Sequence, residues 1–129
     1  MKVLKFGGSS VATIEKIQSI AAYLKERAKQ EKMVVVVSAM GKTTNHLIEL
    51  AHAISANPNQ RELDRLLSIG EQQTIALLAM ALWEIEVPAV SLTAYQVGIR
   101  TTGYHTKARS NRLRQRLCWI SWIAMRWLL

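Results

Sequence analysis

One cysteine, two prolines and a single phenylalanine are all that 129 residues contain of those types. The lone Cys118 excludes an internal disulfide, and it cannot make a zinc site without several histidines. The three histidines, His46, His52 and His105, have no metal-ligand spacing. The start, Met1-Lys2-Val3-Leu4-Lys5-Phe6-Gly7-Gly8, lacks the apolar core of a signal peptide, and no run approaches the roughly 18–20 apolar residues that span a bilayer. A soluble cytoplasmic protein with no membrane partner is expected. Acidic residues are also missing from one part of the chain: all nine lie at or before Glu86. The net charge of +8 is therefore uneven. Residues 1–108 hold twelve basic and nine acidic groups, and residues 109–129 add five arginines against none. A mildly basic domain suits an anionic substrate, and the strong basicity belongs to the tail.

What is present is an alternation of strand and helix patterns, with half the residues apolar. Residues 2–6 form a short strand, and Gly7-Gly8-Ser9-Ser10 a turn. A helix over residues 11–29 comes next, with Val11, Ile14, Ile17, Ile20, Ala21 and Leu24 on one face. Met33-Val34-Val35-Val36-Val37 is a β-branched run suited to a strand buried on both faces. Ser38-Ala39-Met40-Gly41-Lys42-Thr43 is a second turn, leading to an amphipathic helix with Leu47, Ile48, Leu50, Ala51 and Ile54 as its apolar face. Asn57-Pro58-Asn59 breaks that helix. A short helix is expected over 61–67. Ser68-Ile69-Gly70-Glu71 then has the form of a capping box opening a helix over 69–83. Residues 87–92 are expected to be a third strand, with Pro88 near its start. This order predicts an α/β domain with a mainly parallel sheet and flanking helices.

In an open parallel sheet, ligands bind beyond the carboxyl ends of the strands. Both glycine turns fall at such ends, and each leads into a helix whose free amides and dipole attract anions. Lys5, at the end of the first strand, adds a positive charge that could reach a transferring phosphate. The spacing matches neither the Walker loop nor the dinucleotide fingerprint. The residues alone leave a plain turn and an anion site equally open.

Several segments resemble the aspartate kinases of the amino acid kinase superfamily. Val3-Leu4-Lys5-Phe6-Gly7-Gly8-Ser9-Ser10-Val11 is similar to their signature, with Ser9 where threonine is common. Val34-Val35-Val36-Val37-Ser38-Ala39-Met40-Gly41-Lys42-Thr43-Thr44-Asn45 resembles their second strand and loop. Ser68-Ile69-Gly70-Glu71-Gln72 resembles a Gly-Glu helix start. Ala89-Val90-Ser91-Leu92-Thr93, Gln96-Val97-Gly98-Ile99-Arg100-Thr101 and Gly103-Tyr104-His105-Thr106-Lys107-Ala108 resemble the next strand and loop of that family, in the family's order. The resemblance implies an incomplete amino acid kinase-like fold over residues 1–108. It implies ATP-dependent phosphorylation of the side-chain carboxylate of L-aspartate, the first step of lysine, threonine and methionine biosynthesis, with MgATP and L-aspartate as partners. Lys5, as the catalytic charge, would hold the β- and γ-phosphates with Phe6, Gly7, Gly8, Ser9 and Ser10. Ser38, Gly41 and Thr44 would line the cleft near aspartate, and Glu71 would anchor its ammonium. Glu71 as a capping group and Thr44 as a helix cap are the alternatives that the residues leave open. Phosphoryl transfer needs positioning and charge neutralisation, which lysine, glycine amides and Mg2+ supply.

From residue 109 the pattern changes. Arginines with polar spacers run to Arg116, and beyond them stand three of the four tryptophans, Trp119, Trp122 and Trp127. A glycine-rich segment ending in Ser-Asp and the adenine-binding groups of the resembled family are absent. A frameshifted or unstructured tail over 109–129, a truncated domain inactive alone with an unpaired sheet edge, and a homo-oligomeric intact parent are the expectations. The alternatives are another amino acid kinase, or a non-catalytic binding module whose basic Trp-rich tail docks on anionic membrane or nucleic acid. Nothing in residues 1–108 points to a nucleic-acid or membrane role.

Overall fold

The computed structural model describes residues 1–101 and 110–112. The block 103–108, with His105, and residues 113–129, with Cys118 and the tail tryptophans, lie outside the described residues. The element order is β1 (Lys2–Phe6), α1 (Ile14–Ala28), β2 (Met33–Val37), α2 (Thr43–Ile54), α3 (Gln60–Glu84), β3 (Arg100–Thr101) and β4 (Ser110–Arg112). Strands β1 and β2 pair in parallel, with Leu4 opposite Val35 and Phe6 opposite Val37. Parallel pairing through a helical crossover is the α/β arrangement expected of this sequence. The antiparallel pair β3–β4 was not foreseen. It draws three residues of the segment expected to be foreign into a strand.

The core lies on one face of the parallel pair. Leu4, Phe6, Met33, Val35 and Val37 pack with Val11, with Ile17, Ile20, Ala21 and Leu24 of α1, and with Leu78 and Leu82 of α3. Side chains alternate across a strand, so Val3, Lys5 and Val36 fall on the other face and stay exposed. Val36 is 46% exposed. The expected burial of the valine run on both faces is thus corrected: helices cover one face only among the described residues.

Helix α1 starts three residues later than its periodicity suggests, because the Thr13 side chain caps it, accepting from the Lys16 amide. Val11 lies before the helix yet is fully buried, while Ile14 is 48% exposed. Helix α2 keeps Leu47, Ile48 and Ala51 partly covered but has no buried residue. Leu50 and Ile54, expected on its inner face, are 46% and 92% exposed.

The two helices expected over 61–67 and 69–83 are one helix, α3. Its cap is Asn59, whose Oδ1 accepts from the Arg61 and Glu62 amides. Ser68 therefore caps nothing: its hydroxyl donates to the Arg65 carbonyl and accepts from Gln72 Nε2. No proline or glycine separates the two expected pieces, and propagating a helix is easier than nucleating a second one. α3 has 25 residues and is long and apolar enough to cross a membrane by length and composition, a property missed by looking for unbroken apolar runs. It instead buries Gly70, Thr74, Leu78 and Leu82 along one stripe within the fold. Thr74 Oγ1, fully buried, donates to the Gly70 carbonyl.

α3 ends with Glu86 in the left-handed region, at φ 62°. The Glu86 amide donates to the Trp83 carbonyl and the Val87 amide to the Leu82 carbonyl, which is the double bond of a Schellman turn with glutamate where glycine is usual. The third strand expected over 87–92 is not formed. Val87 and Ala89 do pack on the core, but the Ala89 carbonyl accepts from Trp83 Nε1 at 2.7 Å. That segment is held by α3 side chains, with no ladder neighbour among the described residues.

Candidate functional site

Because β1 and β2 are parallel and in register, the loops at their carboxyl ends emerge side by side. The first loop closes on itself: the Ser10 and Val11 amides both donate to the Gly7 carbonyl, at 2.9 and 3.3 Å. It is also bonded to the second loop, with the Gly41 amide donating to the Gly8 carbonyl at 3.1 Å. At the strand ends the Ser38 amide donates to the Phe6 carbonyl at 3.1 Å. Three sequence-predicted regions, Phe6–Ser10, Ser38 and Gly41, are thereby joined by backbone alone.

The approach leaves no room for side chains. A Cβ on Gly8 would lie 2.9 Å from the Ala39 carbonyl oxygen, well inside ordinary contact. Gly41 adopts φ 48°, a conformation that favours glycine. On the far side, the second loop sits against α3: a Cβ on Gly70 would lie 2.8 Å from Ala39 Cβ and 3.5 Å from Thr43 Cγ2. The order is thus first loop, second loop, α3, each packed against the next. Glu71, adjacent to Gly70, is exposed at that junction.

Lys5 is exposed on the open face of the sheet, and its Nζ is 3.7 Å from where a Cβ on Gly7 would stand. The ammonium therefore lies over the glycine turn. Phe6 turns the other way, packing its ring against the core, so only its backbone belongs to the loop surface. Ser9 and Ser10 are exposed; Ser38 and Thr44 are partly covered. Thr44 lies in the first turn of α2, one residue inside the helix, with Lys42 in the cap position and no side-chain capping bond there. Thr44 is thus not the helix cap. The structure also brings in residues that pattern reading did not single out as site-forming: Ala39, which separates Gly8 from Gly70, and Lys16, whose Nζ donates to the Ser9 carbonyl at 2.8 Å. Ala39 is nearly invisible in sequence, since a small residue in a turn has no periodic signature. Among the described residues, no group of three His, Cys, Asp or Glu gathers to hold a metal.

Glu15, at the start of α1, stands out among the titratable groups of the described residues. The Thr13 hydroxyl, and secondarily its own backbone amide, hold its carboxyl below the usual carboxylate range.

Glycine-built loops whose backbone amides lie beside one lysine can bind oxyanions, phosphates above all. A model of the amino acid kinase family matches residues 1–122. Aspartokinase 2 of Bacillus subtilis (strain 168) is 55% identical over 108 residues, which is 83% of this chain and 26% of that protein. The aspartokinase of Geobacillus stearothermophilus is 56% identical over the same shares. The chain thus spans about a quarter of the length of the curated relatives it matches. Among solved structures, aspartate kinase from Synechocystis superposes with TM-score 0.77 at 52% identity, over 90% of this chain and 20% of that one. E. coli aspartokinase III in complex with aspartate and ADP superposes with TM-score 0.75 over 86% of this chain and 35% of that one; at 22% identity this is a likeness of fold.

Proposed function

The chain belongs to the amino acid kinase family, and we propose that it forms part of an enzyme transferring the γ-phosphoryl group of ATP to the side-chain carboxylate of L-aspartate. One observation carries this reading: the two strand-end loops are joined through Gly41 and Gly8, beneath a lysine that leans over Gly7. The names of the relatives supply the substrate class.

In this reading the amides of the first loop and Lys5 hold the β- and γ-phosphates, with the Ser9 and Ser10 hydroxyls as further donors. Phe6 contributes backbone. Ser38, Gly41 and Thr44 place the aspartate carboxylate beside the γ-phosphate, and Glu71 takes its ammonium. A carboxylate oxygen attacks phosphorus, the bond from the γ-phosphorus to the β–γ bridging oxygen breaks, and 4-phospho-L-aspartate and ADP leave. Lys5 offsets the charge that gathers on the transferring group, and the pinned amides do so without having to reorient. Magnesium would arrive with the nucleotide phosphates. The described residues offer no cluster of carboxylates or histidines for it. A cytoplasmic setting, where ATP and free aspartate are available, belongs to this proposal. The chain spans about a quarter of the length of its curated relatives, so the reaction is proposed for the longer enzyme of which these residues form part. We propose residues 1–108 as part of the kinase domain, which continues at least through β4, since Ser110–Arg112 pairs with β3 and the family match runs to residue 122.

The test is a graft. Residues 1–108 replace the matching segment of Bacillus subtilis aspartokinase 2, and the acyl phosphate is trapped with hydroxylamine as the hydroxamate. The graft is expected to form aspartyl hydroxamate, and Lys5→Met to lower kcat by about 10²–10³ with the fold intact, the range seen on removing one charge-stabilising donor. A graft that folds and binds ATP yet makes no hydroxamate from aspartate would sink the proposal.

A further inference from the structure

Lys16 lies outside every motif noted in the sequence, on the exposed side of the first turn of α1. Its ammonium nevertheless leaves the helix to bond the Ser9 carbonyl, seven residues back, at 2.8 Å. Three successive carbonyls of the glycine loop are thus each occupied by a different partner. Gly7 O takes the Ser10 and Val11 amides, Gly8 O takes the Gly41 amide, and Ser9 O takes Lys16.

A trans peptide is planar, so fixing a carbonyl also fixes the amide on its other side. The bond from Gly41 to Gly8 O sets the direction of the Ser9 N–H. The peptide joining Ser9 to Ser10 is held at both ends, its N–H on Gly7 O and its carbonyl on Lys16 Nζ. Without the lysine, that peptide keeps only the hold of its N–H on Gly7 O, since nothing else among the described residues bonds the carbonyl.

We infer that Lys16 is a positioning residue for the phosphate loop: by holding the Ser9 carbonyl it braces the closed turn on which the remaining loop amides, those of Gly8 and Ser9, are carried toward an oligophosphate. This rests on the proposed function in placing phosphates at that loop, and it assigns Lys16 no contact with the reacting atoms. Because the bond is charge-assisted, its loss loosens the loop without removing a buried group.

The probe is inorganic tripolyphosphate, titrated calorimetrically into the 129-residue chain and its Lys16→Met, Lys16→Arg and Lys5→Met variants. Lys16→Met is expected to weaken binding roughly three- to tenfold, the net worth of one ordinary hydrogen bond, because this one is exposed to water and acts indirectly. Lys16→Arg is expected to restore affinity to within about twofold, since its guanidinium can also donate to the carbonyl. Without ligand, the amide resonances of Ser9 and Ser10 should move in Lys16→Met, while those of core residues such as Leu78 and the melting temperature stay. Wild-type affinity in Lys16→Met overturns the inference. So does a fall in melting temperature that accounts for the weaker binding, because the lysine then serves only the fold. Lys5→Met separates this failure from that of the functional reading. If Lys5→Met weakens binding and Lys16→Met does not, the phosphate site stands and the positioning role falls. If neither weakens it, or the wild-type chain does not bind, both fall.

Discussion

Helices α1 and α2 occupy equivalent places, each leaving a glycine turn at the end of a parallel strand, and they differ in almost everything that burial provides. α1 is capped by a threonine side chain and buries Ile17, Ile20, Ala21 and Leu24 between the sheet and α3. α2 has Lys42 at its cap position, no side-chain capping bond and no buried residue. Both carry an apolar stripe in sequence. Periodicity establishes that a helix has a face; only a neighbour on that face makes it a core. α1 has the sheet and α3, whereas α2 packs chiefly on α3 among the described residues.

The largest effect that could break this contrast is on stability. Leu24, 1% exposed, should cost about 2–5 kcal/mol when cut to alanine, through lost transfer energy and the cavity left behind. Leu50, 46% exposed on α2, should cost no more than about 0.5 kcal/mol. Denaturant unfolding of the two variants decides it. Equal losses would mean that the outer face of α2 is covered in solution, and the contrast would disappear.

A middle-sized effect sharpens the contrast at the point where the second loop meets α3. Gly70→Ala places a methyl 2.8 Å from Ala39 Cβ, and neither group can rotate away. Overpacking of this kind costs about 1–3 kcal/mol. The better helix propensity of alanine returns about 1 kcal/mol, so the net change should be destabilising. Adding Ala39→Gly removes the opposing methyl and should relieve the clash, giving a coupling of about 0.5–3 kcal/mol. Additive losses in the double-mutant cycle would show that the loop yields freely and that α3 does not hold it.

The parts legible in sequence were those set by local chemistry. The valine run as a strand, the Gly-Gly segment as a turn and the Ile17-Ile20-Ala21-Leu24 stripe as a buried helix face are all present in the structure, although the run is covered on one face only. The closeness of the two loops was implied by parallel pairing, but the bond between Gly8 and Gly41 needed coordinates. What misled were patterns with two physical outcomes. Ser68 to Glu71 has the composition of a helix start, yet a helix already capped at Asn59 continues through it, and the hydroxyl finds the Arg65 carbonyl instead. Residues 87–92 have strand composition, but strand formation needs a ladder partner, and composition says nothing about one. Glu86 ends α3 in a conformation usually left to glycine, so no residue signal marked that turn. Lys16 and Ala39 were missed because each matters through contacts away from its own place in sequence, Lys16 with Ser9 and Ala39 with Gly8 and Gly70.

The smallest effect lies at the cap that separates α1 from α2. Thr13 Oγ1 accepts from the Lys16 amide at 3.4 Å, and the same hydroxyl holds the Glu15 carboxyl below its ordinary range. A carboxyl whose pKa is lowered by folding contributes stability that is fully present above its unfolded value. That contribution disappears as pH falls through the lower folded value. Glu15→Gln should therefore lower the melting temperature slightly at neutral pH, by much less than Leu24→Ala, because Glu15 is fully exposed and screened by water. The gap between wild type and variant should close as the pH falls through the acidic range and the wild-type carboxyl takes up its proton. Thr13→Ala should close most of that gap at neutral pH as well, since the hydroxyl is the main cause of the shift. A gap between wild type and Glu15→Gln that persists unchanged into acid would show that the glutamate supports α1 through packing or helix propensity, not through its charge at the cap.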